Sequence, residues 1–276
     1  MDYFTLTLFL LIGSFAGTAA GLLGIGGGII YVPALFFYLE GRSPLDSHLP
    51  VISVSTSLLI ILVSSLSALY GHWKNRNLVL ERFVYLLLGG ICGAVLASIL
   101  LLSVDSKQFL ALLALFQFVM GVKILLHNKK SETKSPPRLK KPVRLYFIGL
   151  LSGSVSAFFG VGGGIITVPL LHLWEDYPIA KAIGVSTAFM TLIAMTSFLS
   201  YYFQNMTLPP QPDLFGTIYL PAFLAIVPGA FIGARLGANL AVKIDSTLLV
   251  KVFGGVLILV ALKTSLSWFQ NFLPLF

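Results

Sequence analysis

Apolar residues run almost without interruption from Asp2 to Leu39, Leu49 to Tyr70, Phe83 to Leu102 and Phe109 to Leu126. The same order returns over Leu145 to Trp174, Ala182 to Phe203, Gly216 to Leu240 and a last segment after Asp245-Ser246. Each run approaches or exceeds the roughly 20 residues with which a helix crosses a hydrocarbon core. The runs are uniformly apolar, whereas membrane-barrel strands alternate polar and apolar residues. The pattern predicts an all-α polytopic integral membrane protein of about eight hydrophobic segments.

The first run is too long for one straight crossing, since 1.5 Å per residue would carry it far beyond a core about 30 Å thick. Its interruption is Gly24-Ile25-Gly26-Gly27-Gly28-Ile29-Ile30-Tyr31-Val32-Pro33, which recurs as Gly160-Val161-Gly162-Gly163-Gly164-Ile165-Ile166-Thr167-Val168-Pro169. Glycine costs about 1 kcal/mol relative to alanine inside a helix, so these clusters predict a broken or re-entrant segment. Exposed backbone at membrane depth survives only inside protein or beside a water-filled cavity.

Further landmarks recur in the same order. Ser53-Val54-Ser55-Thr56 pairs with Gly184-Val185-Ser186-Thr187, Gly89-x-x-x-Gly93 with Gly229-x-x-x-Gly233-x-x-x-Gly237, and Asp105-Ser106 with Asp245-Ser246. The chain therefore divides into two homologous repeats, residues 1–126 and 145–276, joined by a polar linker at 127–144 centred on Pro136-Pro137. The spaced glycines predict faces at which a neighbouring helix approaches closely.

Charge adds orientation. Only 10% of residues are charged, yet the net charge is +8, and seven lysines and arginines sit between His127 and Arg144. The positive-inside rule places that linker in the cytoplasm and the protein in the cytoplasmic membrane. Straight glycine segments would make the repeats parallel and leave Lys243 outside; hairpins would make them inverted and gather Arg235, Lys243 and Lys251 at the cytoplasmic face. The charge rule favours the inverted arrangement. Nucleic-acid binding is not expected, because no folded basic domain or aromatic interleaving accompanies the charge.

The candidate chemistry follows from the breaks. N–H groups at a half-helix start, reinforced by aligned peptide dipoles, form an anion site without a full positive charge. The expected ligands are the backbones of Gly26, Gly27 and Gly28 and of Gly162, Gly163 and Gly164, with hydroxyls from Ser55, Thr56, Ser186 and Thr187 beside them. Arg235, on the glycine-lined helix, is a candidate for drawing anions in. His48, His172, Glu175 and Asp176 are candidates for a coupled proton. The single cysteine, Cys92, leaves no intramolecular disulfide or cysteine-rich metal site. No metal site, cofactor or enzyme signature is expected, and no P-loop is present.

On the doubled glycine signature followed by Val-Pro, the hydroxyl-bearing next helix and the glycine-alanine third helix, the chain resembles the TauE/SafE sulfite exporter family over nearly its whole length. The second-helix segments, Val-Ser-Thr-Ser and Val-Ser-Thr-Ala, depart from the Gly-Thr-Ser more frequent in that family. The resemblance implies a secondary transporter of small anions, often sulfur-containing, such as sulfite or organosulfonates. The alternative from another class is a non-transporting membrane scaffold that uses the basic linker to hold its partners.

Overall fold

The computed structural model describes residues 2–41, 46–126, 142–204, 212–241 and 247–272. Most of the basic linker (127–141), together with Lys243 and Asp245-Ser246, lies outside the described residues. Among these residues ten α-helices follow one another: α1 (Tyr3–Leu23), α2 (Gly28–Leu39), α3 (Leu49–Lys74), α4 (Phe83–Leu101), α5 (Ser106–Leu125), α6 (Pro142–Phe159), α7 (Gly164–Trp174), α8 (Ile179–Gln204), α9 (Leu220–Leu240) and α10 (Thr247–Phe272). Eight are long and apolar enough to cross a membrane, and α2 and α7 are the two shorter apolar helices.

Local sequence explains the boundaries. Gly24, in the left-handed conformation with φ 65°, ends α1, and Gly160, also at φ 65°, follows α6. Asp105 caps α5 by accepting a hydrogen bond from the Gln108 N–H at 2.7 Å. The expected span from Gly216 begins instead at Leu220. Gly216, at φ 59°, turns a small hairpin of β1 (Leu214–Phe215) and β2 (Ile218–Tyr219), and Pro221 then opens α9 from its first turn.

After each glycine break the chain doubles back. Tyr38, near the end of α2, meets Phe9 in the first half of α1 with ring centroids 5.0 Å apart. In the second half, α7 leads to Glu175 and Tyr177, which share an electrostatic neighbourhood with Glu81 and Arg82 just before α4.

The helices pair crosswise. α1 packs most extensively on α9, and α6 on α4. Spaced glycines make this possible, because any side chain there would collide with the partner's backbone. Gly13, Gly17 and Gly21 of α1 lie successively against Ile226, Ala230 and Ala234, while Gly229, Gly233 and Gly237 lie against Leu10, Ser14 and Thr18. Gly89 and Gly93 of α4 lie against Tyr146 and Leu150, and Gly149 and Gly153 of α6 against Leu86 and Gly90. In each pair contact positions advance together, so the paired helices run in the same direction.

α3 and α8 form the centre. Of their membrane-length apolar windows, 78% and 72% is buried, against 28–44% for the other six long helices. They cross antiparallel: Asn77, just after α3, touches Gly184 near the start of α8, and Thr191 donates to Ser65 at 2.9 Å in between. Ser67 and Gly71 of α3 meet Phe231 and Ala238, aligning α3 with α9. Gly90 and Ser98 of α4 meet Phe189 and Ser200, aligning α4 with α8. Thus α1, α3 and α9 run one way and α4, α6 and α8 the other. Around this centre the outer helices expose Leu96, Leu100, Leu115, Leu224, Leu259 and Leu266, an apolar periphery suited to lipid.

Candidate functional site

The two glycine breaks meet at the middle of α3 and α8. A Cβ on Gly28 would strike the Gly160 carbonyl oxygen, and one on Gly164 would strike that of Gly24. The approach is reciprocal, each helix start lying on the other break. Cβ atoms on Gly26 and Gly162 would each come 3.3 Å from Met190 Sδ, so one side chain of α8 touches both loops. Only glycine tolerates these positions, both for lack of space and because Gly26 (φ 78°) and Gly162 (φ 83°) are left-handed.

Two serines hold the loops in place. Ser57 Oγ donates to the Gly160 carbonyl at 2.7 Å, and Ser186 Oγ donates to the Gly24 carbonyl at 3.0 Å. All four residues are buried. The carbonyls left by each broken helix are thus bound by the central helix of the other half.

The opposite ends of the breaks are helix starts. α2 has Gly27 as its N-cap and α7 has Gly163, and neither has a side-chain cap. The Ile30 and Ile166 N–H groups of the first turns fold back on the Gly27 and Gly163 carbonyls at 3.0 and 3.1 Å, and the N–H groups ahead of them lie at the positive end of each helix dipole. Unpartnered hydroxyls stand beside them. The Tyr31 ring folds back over Gly27, with Oη 2.5 Å from where a Cβ would be; that Oη is buried and makes no hydrogen bond. Next to Gly163 lies the α6 backbone, with the Ser152 carbonyl 2.6 Å and Ser156 Cβ 3.3 Å from a Cβ position, and both seryl Oγ atoms are buried and unpartnered. A buried hydroxyl without a partner is costly, by about 1–3 kcal/mol, unless a ligand takes it.

The Val-Pro that closes each signature also has a local consequence. Pro33 has no N–H for the Ile29 carbonyl one turn earlier, and Gln117 Nε2 of α5 donates to that oxygen at 3.0 Å instead. α5 is thereby tied to the first turn of α2.

The structure separates the expected hydroxyls. Ser186 lies on the Gly24 carbonyl, whereas Thr187 bonds the Ile183 carbonyl of its own helix at 2.8 Å. Ser55 shares a 2.6 Å hydrogen bond with Thr217, and Thr56 Oγ1 accepts from the Tyr219 N–H at 3.0 Å, so both fasten the β1–β2 hairpin to α3. The counterpart of Ser186 is Ser57. Matching the shared letters Val-Ser-Thr pairs the helices two residues out of the register that their contacts define. Identical residues serve different ends here, one copy meeting a hairpin and the other a glycine carbonyl.

The ionisable candidates lie elsewhere. Arg235 is exposed, its guanidinium 4.9 Å from the centre of the Tyr70 ring. His172 Nδ1 and the Tyr177 carbonyl are 2.7 Å apart, and Glu175 is buried. Burial, then the charges of Glu175 and Glu81, push the Tyr177 hydroxyl up to about 12. Among the described residues no group of three or more histidine, cysteine or acidic side chains is placed to hold a metal. Sequence reasoning missed Tyr31, Ser57, Ser152 and Ser156. Ser57 was detectable from the hydroxyl-rich run, but Tyr31 lay inside an apolar stretch with no polar pattern around it.

The family model for the sulfite exporter TauE/SafE matches residues 9–264, spanning both glycine breaks and nearly all of the helical body. The chain belongs to the TauE/SafE family. Relatives extend over almost its full length. A probable membrane transporter protein of Haemophilus influenzae is 29% identical over 266 residues, covering 94% of this chain and 98% of that protein. The probable membrane transporter protein YunE of Bacillus subtilis is 24% identical over 92% of this chain and 94% of its own. One from Xylella fastidiosa is 28% identical over 91% of both. No solved structure matches the chain. TauE/SafE is a family of membrane transporters rather than enzymes, and the eight apolar spans of this member fit that class.

Proposed function

We propose that this membrane transporter carries small anions, sulfur oxyanions and organosulfonates foremost, by alternating access between two inverted repeats in the cytoplasmic membrane. The observation that carries the reading is the meeting of two uncapped helix starts, α2 and α7, with the buried, unpartnered hydroxyls of Tyr31, Ser152 and Ser156 beside them. Outward-pointing N–H groups and hydroxyl donors suit an oxyanion, which accepts hydrogen bonds at every oxygen, and no lysine or arginine is needed to neutralise it.

Backbones of Gly26, Gly27 and Gly28 hold the anion from one side and those of Gly162, Gly163 and Gly164 from the other. Ser57 and Ser186 set the loop positions by restraining the carbonyls at each break. Opposed helix directions in corresponding elements support the inverted topology, with the basic linker and the Lys74–Arg82 turn in the cytoplasm. The transport cycle then rocks one repeat against the other across the crosswise contacts of α1 with α9 and of α6 with α4.

Purified protein should be screened by thermal shift against sulfite, sulfate, thiosulfate, sulfoacetate and simple carboxylates, followed by flux in proteoliposomes. A true ligand at 100 times its Kd stabilises the folded form by about 2.7 kcal/mol. Absence of both a shift and carrier-dependent flux for every anion would overturn the reading.

A further inference from the structure

Breaking a helix strands carbonyls at its end. In α1 the Ala20 carbonyl recovers a partner in the Gly24 N–H at 2.8 Å, and the Gly21 carbonyl is met by His72 Nε2 at 3.0 Å. In α6 the corresponding carbonyl is that of Ala157, three residues before Gly160 as Gly21 is three before Gly24. Its partner is Tyr201 Oη, donating at 2.7 Å. His72 and Tyr201 are themselves counterparts, each fifteen residues beyond the serine that holds a glycine carbonyl. The same structural task is thus given to an imidazole in one half and a phenol in the other.

That exchange matters chemically. A carbonyl only accepts, so His72 Nε2 carries a hydrogen and Nδ1 is left as a base. Nδ1 is buried and has no partner. Tyr201 has a single proton, already donated, and no second basic site at physiological pH.

We propose that His72 is the proton-binding site of the transport cycle, taking a proton on Nδ1 as an anion enters the neighbouring glycine cradle. The inference rests on the anion reading above. An imidazolium there caps the negative end of the α1 dipole and strengthens its hydrogen bond to Gly21. A lone charge buried at that depth is costly, and so is a lone anion in the cradle; together the imidazolium offsets one negative charge of the anion. Each therefore raises the affinity for the other, by thermodynamic reciprocity.

The surroundings leave this role to His72. From α1 the Gly21 carbonyl meets it at 3.0 Å. Among the described residues, the charged groups of this end include Arg235 of α9, seated on Tyr70, the exposed Lys74 and Arg76 in its own turn, Arg82 before α4, Arg144 at the start of α6, Asp176 before α8, and Lys181 at the head of α8. The acidic groups Glu81 and Glu175 act on Tyr177. Asn75 and Asn77, beyond α3, bring amide nitrogens that are buried and unpartnered.

The test uses full-length protein in proteoliposomes, with the membrane potential clamped by valinomycin and potassium. Radiolabelled thiosulfate and sulfoacetate are the probes, since neither titrates near neutral pH, and entrapped pyranine reports proton entry. Wild type should take up about one proton per anion, and one unit of pH gradient should sustain roughly a tenfold anion gradient. His72→Gln keeps a donor for Gly21 but has no second proton site. It should still exchange labelled for unlabelled anion, at a higher half-saturating concentration than wild type, yet move no protons and ignore the pH gradient. His72→Tyr copies the second half and should behave alike, which guards against a folding defect peculiar to glutamine. Wild-type flux without proton movement, or variants that still move protons, would overturn the role of His72. Failure of wild type to carry any anion of the panel would instead overturn the anion reading.

Discussion

A methyl group added at Gly28 probes the contact on which the site depends. In Gly28→Ala the new carbon would stand 2.8 Å from Ile61 Cδ1 and from Ser57 Oγ, and closer still to the Gly160 carbonyl oxygen. Non-bonded atoms settle at about 3.5–4.0 Å. Ile61 can rotate away, but the carbonyl belongs to the opposite break and is held by Ser57. The two loops must therefore part by roughly 1.5–2 Å. Overpacking of this kind costs about 1–3 kcal/mol, which lowers the melting temperature without abolishing the fold. A misplacement of about 1 Å among positioning groups costs on the order of 100-fold in rate. The assay is labelled-anion flux in proteoliposomes, with melting temperature in detergent measured on the same preparation. Gly255→Ala is the control, because nothing lies within 4 Å of its Cβ position and alanine favours the helix. Flux of Gly28→Ala within threefold of wild type, at unchanged stability, would refute the claim that the breaks touch and that their spacing controls transport.

Gly164→Ala, which meets the Gly24 carbonyl and comes 2.7 Å from Met190 Sδ, should reproduce the same loss from the other half. Ser57→Ala and Ser186→Ala each strand a buried carbonyl, and each should lower stability by about 1–3 kcal/mol in denaturant melts. Removal of the Tyr31 hydroxyl as Tyr31→Phe should stabilise the ligand-free protein while weakening anion binding, a split visible by comparing melts with and without ligand. Deletion of part of Lys129 to Lys141 should leave flux within about twofold of wild type, whereas a scaffold protein would lose its function.

Much of this architecture was legible in the residue pattern. The eight apolar spans follow from run length, and the two breaks follow from glycines too dense for a helix. The close-packing faces were visible in the spacing of Gly89, Gly93, Gly229, Gly233 and Gly237, but their partners were not. A glycine stripe states that something comes near, not which helix it is. The hydroxyl register was misread because Val-Ser-Thr occurs in both central helices, and letter identity carries no information about which turn faces a carbonyl. His72 was invisible for the opposite reason: its counterpart is a tyrosine, so the shared task left no shared letter. Tyr31 reads as one more apolar residue until its ring is seen folded over Gly27.

The crosswise pairing has a consequence for how the chain is made. α1 finds its most extensive partner in α9, which emerges almost two hundred residues later; at roughly 5–20 residues per second that is on the order of 10–40 s of synthesis. Throughout that interval its glycine stripe faces lipid or a temporary escort, and neither half can finish assembling alone. Severing the gene between the halves and co-expressing the fragments should consequently yield stable protein where either fragment by itself is degraded.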